Sequence, residues 1–198
     1  MLPPLQAGGE IFLYPLARAF GSPSEAELAR CRQAFRQFQS NIGTSRVAVA
    51  PVFFVDGSRH EWRPDLAEAV IREAGVLTAA RFEVLASAPV VAPTELGHNQ
   101  LRYLWKRATV YSDWVKAAHP AGDFVWVVEI WGHDGKVGAI HAYVFDTSGQ
   151  IAYCRLFNSH QFGPNLPIGD EPIRLLVRRL FEDLKKDPEK IFPPYGVG

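Results

Sequence analysis

Phe124-Val125-Trp126-Val127-Val128-Glu129-Ile130-Trp131-Gly132-His133-Asp134-Gly135-Lys136-Val137-Gly138-Ala139-Ile140-His141-Ala142-Tyr143-Val144-Phe145-Asp146 decides the fold. Two runs rich in β-branched and aromatic residues flank Asp134-Gly135, a pair suited to the two left-handed positions of a tight hairpin turn. A third run, Ile151 to Asn158, follows the turn signal Asp146-Thr147-Ser148-Gly149. Residues 124–158 therefore read as an antiparallel meander of three strands.

Upstream, the apolar run Val47 to Val55 reads as a strand ended by Asp56-Gly57, and Pro51 within it, lacking an N–H, is assigned to an edge or a bulge. Pro64 opens a helix with Leu66, Ala69, Val70 and Ala74 on one face, and Phe82 to Leu85 reads as a short strand. This strand–helix–strand unit favours a right-handed crossover and makes the sheet mixed. A longer helix is expected from Thr94-Glu95 to Ala118, striped by Leu101, Leu104, Trp105, Ala108, Tyr111 and Val115. Before the first strand, Pro23 and Ser24-Glu25-Ala26-Glu27 start a helix carrying Leu28, Cys31, Phe35 and Phe38, with Asn41-Ile42-Gly43 at its end. After the meander, Pro172 opens a helix striped by Ile173, Leu176, Val177, Leu180, Phe181 and Leu184. The fold class is α/β: a mixed sheet, an antiparallel meander and a C-terminal helix. By region, 1–43 is an N-terminal segment with one helix packed on the domain, 44–187 is the domain, and 188–198 is a loose tail.

Composition narrows the function classes. At 198 residues the chain can bury about 70% of its unfolded surface, enough for a core without staples. Its 21 basic and 21 acidic residues cancel, which disfavours nucleic acid as a partner. No run approaches the roughly 20 apolar residues of a membrane helix. The opening shows no signal peptide, and Pro3-Pro4 suits a chain whose export signal has been removed. Cys31 and Cys154 form no metal or redox motif; they are buried thiols or, in an oxidising compartment, a disulfide.

Chemistry is sparse. The six histidines share no metal-ligand spacing, and no Gly-rich phosphate loop or Gly-x-Ser-x-Gly elbow is present, so neither metal nor cofactor is expected. The best cluster is Glu129, His141, Tyr143 and His160, near Arg155. If Gly132 pairs with Val137, His141 lies opposite Val128; a shift of one residue puts it opposite Glu129. A carboxylate beside an imidazole could serve a general base, which gives one reading: a small hydrolase or small-molecule-binding protein. A cross-strand polar pair is the other. Strand alternation sorts Ile140, Ala142, Val144, Ala152, Cys154 and Leu156 onto one face of the meander. The other receives Trp126, Val128, Ile130, His141, Tyr143, Phe145, Ile151, Tyr153, Arg155 and Phe157. This aromatic face is covered either by residues 1–43 or by another protein. In the second case Tyr143, Tyr153 and Phe157 are the expected partner surface.

From Arg46 onward, about 140 residues resemble the amino-terminal domain of TolB and related cell-envelope lipoproteins, including the curli-secretion and penicillin-binding-protein-activator families. The likeness rests on Arg46-Val47-Ala48-Val49-Ala50-Pro51-Val52-Phe53, on Arg81-Phe82-Glu83-Val84-Leu85, on Ala121-Gly122-Asp123-Phe124-Val125-Trp126-Val127-Val128, on Val144-Phe145-Asp146-Thr147-Ser148-Gly149-Gln150-Ile151, and on the closing helix. It departs in the longer third helix, in the segment from Asn158 to Ile168, and in lacking a lipobox cysteine near the start. The resemblance implies a non-enzymatic interaction or accessory module of the bacterial cell envelope, without a cofactor, periplasmic or outer-membrane-associated. Its partner would be another protein or a second copy, with an export signal or lipid anchor upstream of Leu2. A cytoplasmic protein is the alternative.

Overall fold

The computed structural model describes residues 23–89, 100–162 and 166–193, and of residues 100–102, 160 and 162 the backbone only. Helix α1 (Glu25–Asn41) starts on a reciprocal cap: Ser24 N–H donates to the Glu27 carboxylate at 2.6 Å, and Glu27 N–H donates to Ser24 Oγ at 3.3 Å. Strands β1 (Arg46–Val49) and β2 (Val52–Asp56) are two halves of one line of chain, parted at Ala50-Pro51. Strand β3 (Arg59–Arg63) returns antiparallel on β2 after Gly57-Ser58, with Gly57 at φ +59°. That turn makes a strand of a segment whose charges hid it, so Asp56-Gly57 is a hairpin and not merely an ending.

Helix α2 (Pro64–Gly75), with Pro64 in its first turn, leads to β4 (Arg81–Val84), which pairs parallel with β1. Helix α3 (Gln100–Ala118) precedes β5 (Phe124–His133). The expected start at Thr94-Glu95 lies outside the described residues. Strands β6 (Lys136–Asp146) and β7 (Ile151–Asn158) complete the antiparallel meander. The short α4 (Ser159–Phe162), then α5 (Asp170–Asp183) and α6 (Pro188–Ile191), end the described chain.

The sheet is mixed, as expected. β5 runs parallel to the whole β1–β2 line, Val47 to Val49 against Phe124 to Trp126 and Phe53 to Asp56 against Glu129 to Gly132. On the far side the neighbours change, β4 beside β1 and β3 beside β2. Pro51 sits inside the sheet at that change of neighbour and not on an edge strand. Ala50 N–H bonds Trp126 O at 2.9 Å, so by alternation the missing donor of Pro51 faces the junction, where no ladder bond is needed.

Helices α2 and α5 pack together, with ion pairs Arg72–Asp170 and Arg174–Glu73 at their rim. α5 meets one sheet face through the Tyr153 hydroxyl, which donates to Asp183 at 2.8 Å. α3 covers the other face, burying Leu104, Ala108, Tyr111 and Val115. α1 lies against β7, where Phe35 stacks on Tyr153 and Phe38 meets Phe124 edge-on. Residues 188–193 are not loose: Ile191 and Phe192 are buried, and Arg32 Nε donates to Phe192 O at 2.7 Å.

The meander departs from the expected sorting of faces at two places. Gly132 pairs with Val137, yet Trp131 pairs with Ala139, so Gly138 is an extra residue on β6. Residues directly opposite share a face. Val127, Glu129 and Trp131 therefore join the face of His141 and Tyr143, while Trp126, Val128 and Ile130 go with Ile140, Ala142 and Val144. Near the second turn Phe145 pairs with Ile151 and Val144 with Tyr153, making Ala152 the extra residue. Tyr153, Arg155 and Phe157 thus move to the Ala142 face, and Cys154 and Leu156 to the Tyr143 face.

Candidate functional site

The bulge at Gly138 carries His141 from opposite Val128 to opposite Glu129. Glu129 faces α3, which supplies Arg107 and Tyr111 one turn apart on its sheet-facing side. Glu129 Oε1 accepts from Arg107 Nε at 2.6 Å and from the Tyr111 hydroxyl, which itself accepts from Arg107 Nη2 at 2.8 Å. Oε2 accepts from His141 Nδ1 at 2.7 Å, from Trp131 Nε1 at 3.1 Å and from the Tyr143 hydroxyl at 3.5 Å. Glu129 and His141 are 0% exposed and Arg107 2%. The Arg107 guanidinium also lies 5.1 Å from the ring centres of Phe53 and Tyr111, and 5.7 Å from that of Tyr103.

A fully buried carboxylate would ordinarily be pushed toward its neutral form. Burial does act in that direction on Glu129, but the hydrogen bond and charge of His141, the charge of Arg107 and the Tyr111 hydroxyl outweigh it. Its pKa is held down to about 2. Burial and the adjacent carboxylate push the Tyr111 and Tyr143 hydroxyls well above their ordinary range, so both remain protonated donors. Because a carboxylate only accepts, His141 Nδ1 carries the proton. His141 Nε2 is buried and makes no hydrogen bond among the described residues.

Of the expected site residues, Glu129, His141 and Tyr143 converge, and the side chain of His160 lies outside the described residues. Arg155 belongs to a different cluster on the opposite face, 3.6 Å from Asp183. Arg107, Tyr111 and Trp131 were not anticipated as site residues. Arg107 hides because a cation on a helix reads as solvent-facing; its place among Leu104, Ala108 and Tyr111 on the apolar stripe is the signal that points inward. Tyr143, Tyr153 and Phe157 are not a partner surface of the chain. All three are buried, Tyr143 beneath Tyr111 and Tyr153 beneath Phe35. Cys31 and Cys154 are free buried thiols and form no disulfide.

Chemically, the cluster is a sealed ion pair with a histidine on its flank. A groove of about 610 Å³ between α1, α3 and the β6–β7 turn, lined by Arg30, Trp105, Lys106 and Gln150 among others, contains none of its members. Among the described residues no group of His, Cys, Asp and Glu could hold a metal ion, and no helix is long and apolar enough to cross a membrane. No protein-family model matches the chain, and no curated protein sequence matches it.

Proposed function

We propose that this chain is a non-enzymatic interaction module, of the accessory kind that serves the bacterial cell envelope. The observation that carries the reading is the closure of the Glu129 site. Both carboxylate oxygens are occupied by partners from α3, β5 and β6, and the groups best suited to acid–base work tie a helix to a sheet. Buried and bonded in this way, they act as a structural clamp. The order of elements, a parallel unit followed by a meander and a closing helix, also supports the envelope assignment through its likeness to the TolB-type domain.

The test uses the full chain, tagged in its native cell, fractionated and recovered after mild cross-linking. Recovery with the envelope fraction, in fixed ratio to a protein partner, is the expected result. Recovery from the cytosol alone removes the envelope assignment. Turnover of a generic ester or peptide substrate that disappears in His141→Gln removes the non-enzymatic one.

One observation favours a second reading, a small hydrolase or small-molecule-binding protein. His141 turns Nδ1 to a carboxylate and leaves Nε2 without a partner among the described residues, the orientation of a general base with its orienting acid. Nuclear magnetic resonance titration of the His141 ring decides it. A ring that titrates between pH 5 and 8 and responds to added ligand supports this reading, and one that stays in a single state until the fold is lost removes it.

A further inference from the structure

Strand β4 is one of the sheet's edge strands among the described residues. Its inward bonds are Arg81 N–H to Ser45 O at 2.9 Å and, just past its end, Leu85 N–H to Val49 O at 2.8 Å. By alternation Phe82 and Val84 turn their N–H and C=O groups outward. Among the described residues no strand pairs on that side. Exposed edges of this kind template further strand pairing unless bulged, covered or charged against it.

The charges on β4 do not oppose pairing with a copy of itself. Arg81 and Glu83 are exposed, while Phe82 and Val84 are half-buried, the Phe82 ring 6.4 Å from that of Trp126. Turned antiparallel about Phe82, the strand sets Arg81 against Glu83, Glu83 against Arg81 and Phe82 against itself. Phe82 is an outward-bonding residue, so it forms the hydrogen-bonded pair on the two-fold axis. The flanking non-hydrogen-bonded positions, where side chains come closest, then receive the opposite charges. Arg81 makes no ion pair among the described residues, and that of Glu83 is a surface contact with Arg46 at 3.8 Å.

A strand of four residues cannot by itself supply the roughly 1,000 Å² of a stable interface. The turn before β4 extends it. There stand Val76 and Leu77, 78% and 47% exposed, the two most exposed large apolar side chains among the described residues.

From this we infer that β4 and the Val76-Leu77 turn form an interface through which two copies of the chain pair antiparallel, sheet to sheet. The inference rests on the interaction-module reading and names the partner at this surface as a second copy.

Sedimentation of the full chain across a concentration series tests it. The wild type should move from monomer to dimer. Arg81→Glu sets Glu against Glu83, and Glu83→Arg sets Arg against Arg81; each should weaken the dimer about tenfold or more. The double variant R81E/E83R restores opposite charges and should restore the dimer, and an equimolar mixture of the two single variants should form a heterodimer. At concentrations low enough that the wild type is monomeric, all three variants should keep its thermal midpoint, since both side chains are exposed. A wild type that stays monomeric up to about 1 mM, a dimer indifferent to Arg81→Glu, or a double variant that does not recover overturns self-pairing. So does a heterologous protein held through this edge while the chain itself stays monomeric. None of these results touches the module reading, which stands or falls on envelope co-purification.

Discussion

Glu129 is charged at the centre of the molecule because five side chains make ionisation cheaper than protonation there. Removing the carboxylate leaves Arg107 as a buried cation without its counter-ion, so Glu129→Ala should cost about 3–5 kcal/mol, measured by urea unfolding at neutral pH. The sign of the pH dependence follows from the depressed pKa of about 2. The folded value lies below the unfolded one, so the stabilisation is complete above the ordinary glutamate range and is lost as pH falls toward 2. The urea midpoint should therefore decline from about pH 5 downward, and Glu129→Gln should lack that part of the decline. The thiols give a second prediction at this scale. Burial, reinforced by the charge of Glu27, pushes Cys31 up to about 12, and burial next to Cys31 pushes Cys154 well above its usual range. Only the thiolate attacks an aromatic disulfide reagent, so the folded chain should release almost no chromophore at pH 8 and the unfolded chain two equivalents. Glu129, His141 and Tyr143 were legible in the sequence as polar side chains among apolar neighbours. Arg107 was not, since its charge outweighed its place on the stripe.

At the level of elements, the meander was legible to the turn but not to the register. Asp134-Gly135 announces its hairpin, and both residues take positive φ, +52° and +74°. The extra residue Gly138 leaves no comparable mark, because a glycine between buried Val137 and Ala139 has no side chain to show that the alternation has slipped. Yet it decides which face receives His141, Tyr143 and Phe145. Deleting Gly138 would restore the register that opposes His141 to Val128, and should abolish cooperative unfolding by circular dichroism. Gly138→Ala should be nearly neutral, since an added Cβ would meet only Trp131 O at 3.5 Å. Gly132→Ala behaves differently. Its Cβ would stand 2.7 Å from Lys136 O and 2.9 Å from Ile168 Cδ1, and the backbone contact cannot yield cheaply. It should destabilise by about 1–3 kcal/mol, read from the same unfolding curves. Strand β3 was missed for the opposite reason: Arg59-His60-Glu61-Trp62-Arg63 is too charged to register as a strand, and only the hairpin turn before it carried the information.

Across the whole molecule, long-range contacts account for what the sequence concealed. Nothing local in Pro188-Glu189-Lys190-Ile191-Phe192 indicates that it closes over α1, 160 residues away at Arg32–Phe192. A chain ending at Asp187 would uncover Phe35 and lose two buried apolar side chains. It should be less stable by about 3–5 kcal/mol, the usual cost of emptying a phenylalanine site, with a lower thermal midpoint. Phe192→Ala should reproduce most of that loss. The layered α/β order, by contrast, was readable apart from β3 and the short helices α4 and α6, because the longer helix stripes and strand runs are continuous over their own length.

The parting of the long strand at Pro51 also bears on how large the inferred assembly could grow. Beside it, β4 runs parallel to its neighbour and β3 antiparallel, so one side of the sheet presents two short rails pointing in opposite directions. A strand that adds antiparallel to β4 would run parallel to β3, so continuing past the junction would require it to change from antiparallel to parallel pairing. At the opposite end, α1 lies against β7. The proposed pairing through β4 would be isologous and would consume the same edge on both copies, so at that edge it would close at two. If two copies pair through β4 as inferred, that edge would no longer be available to template a filament.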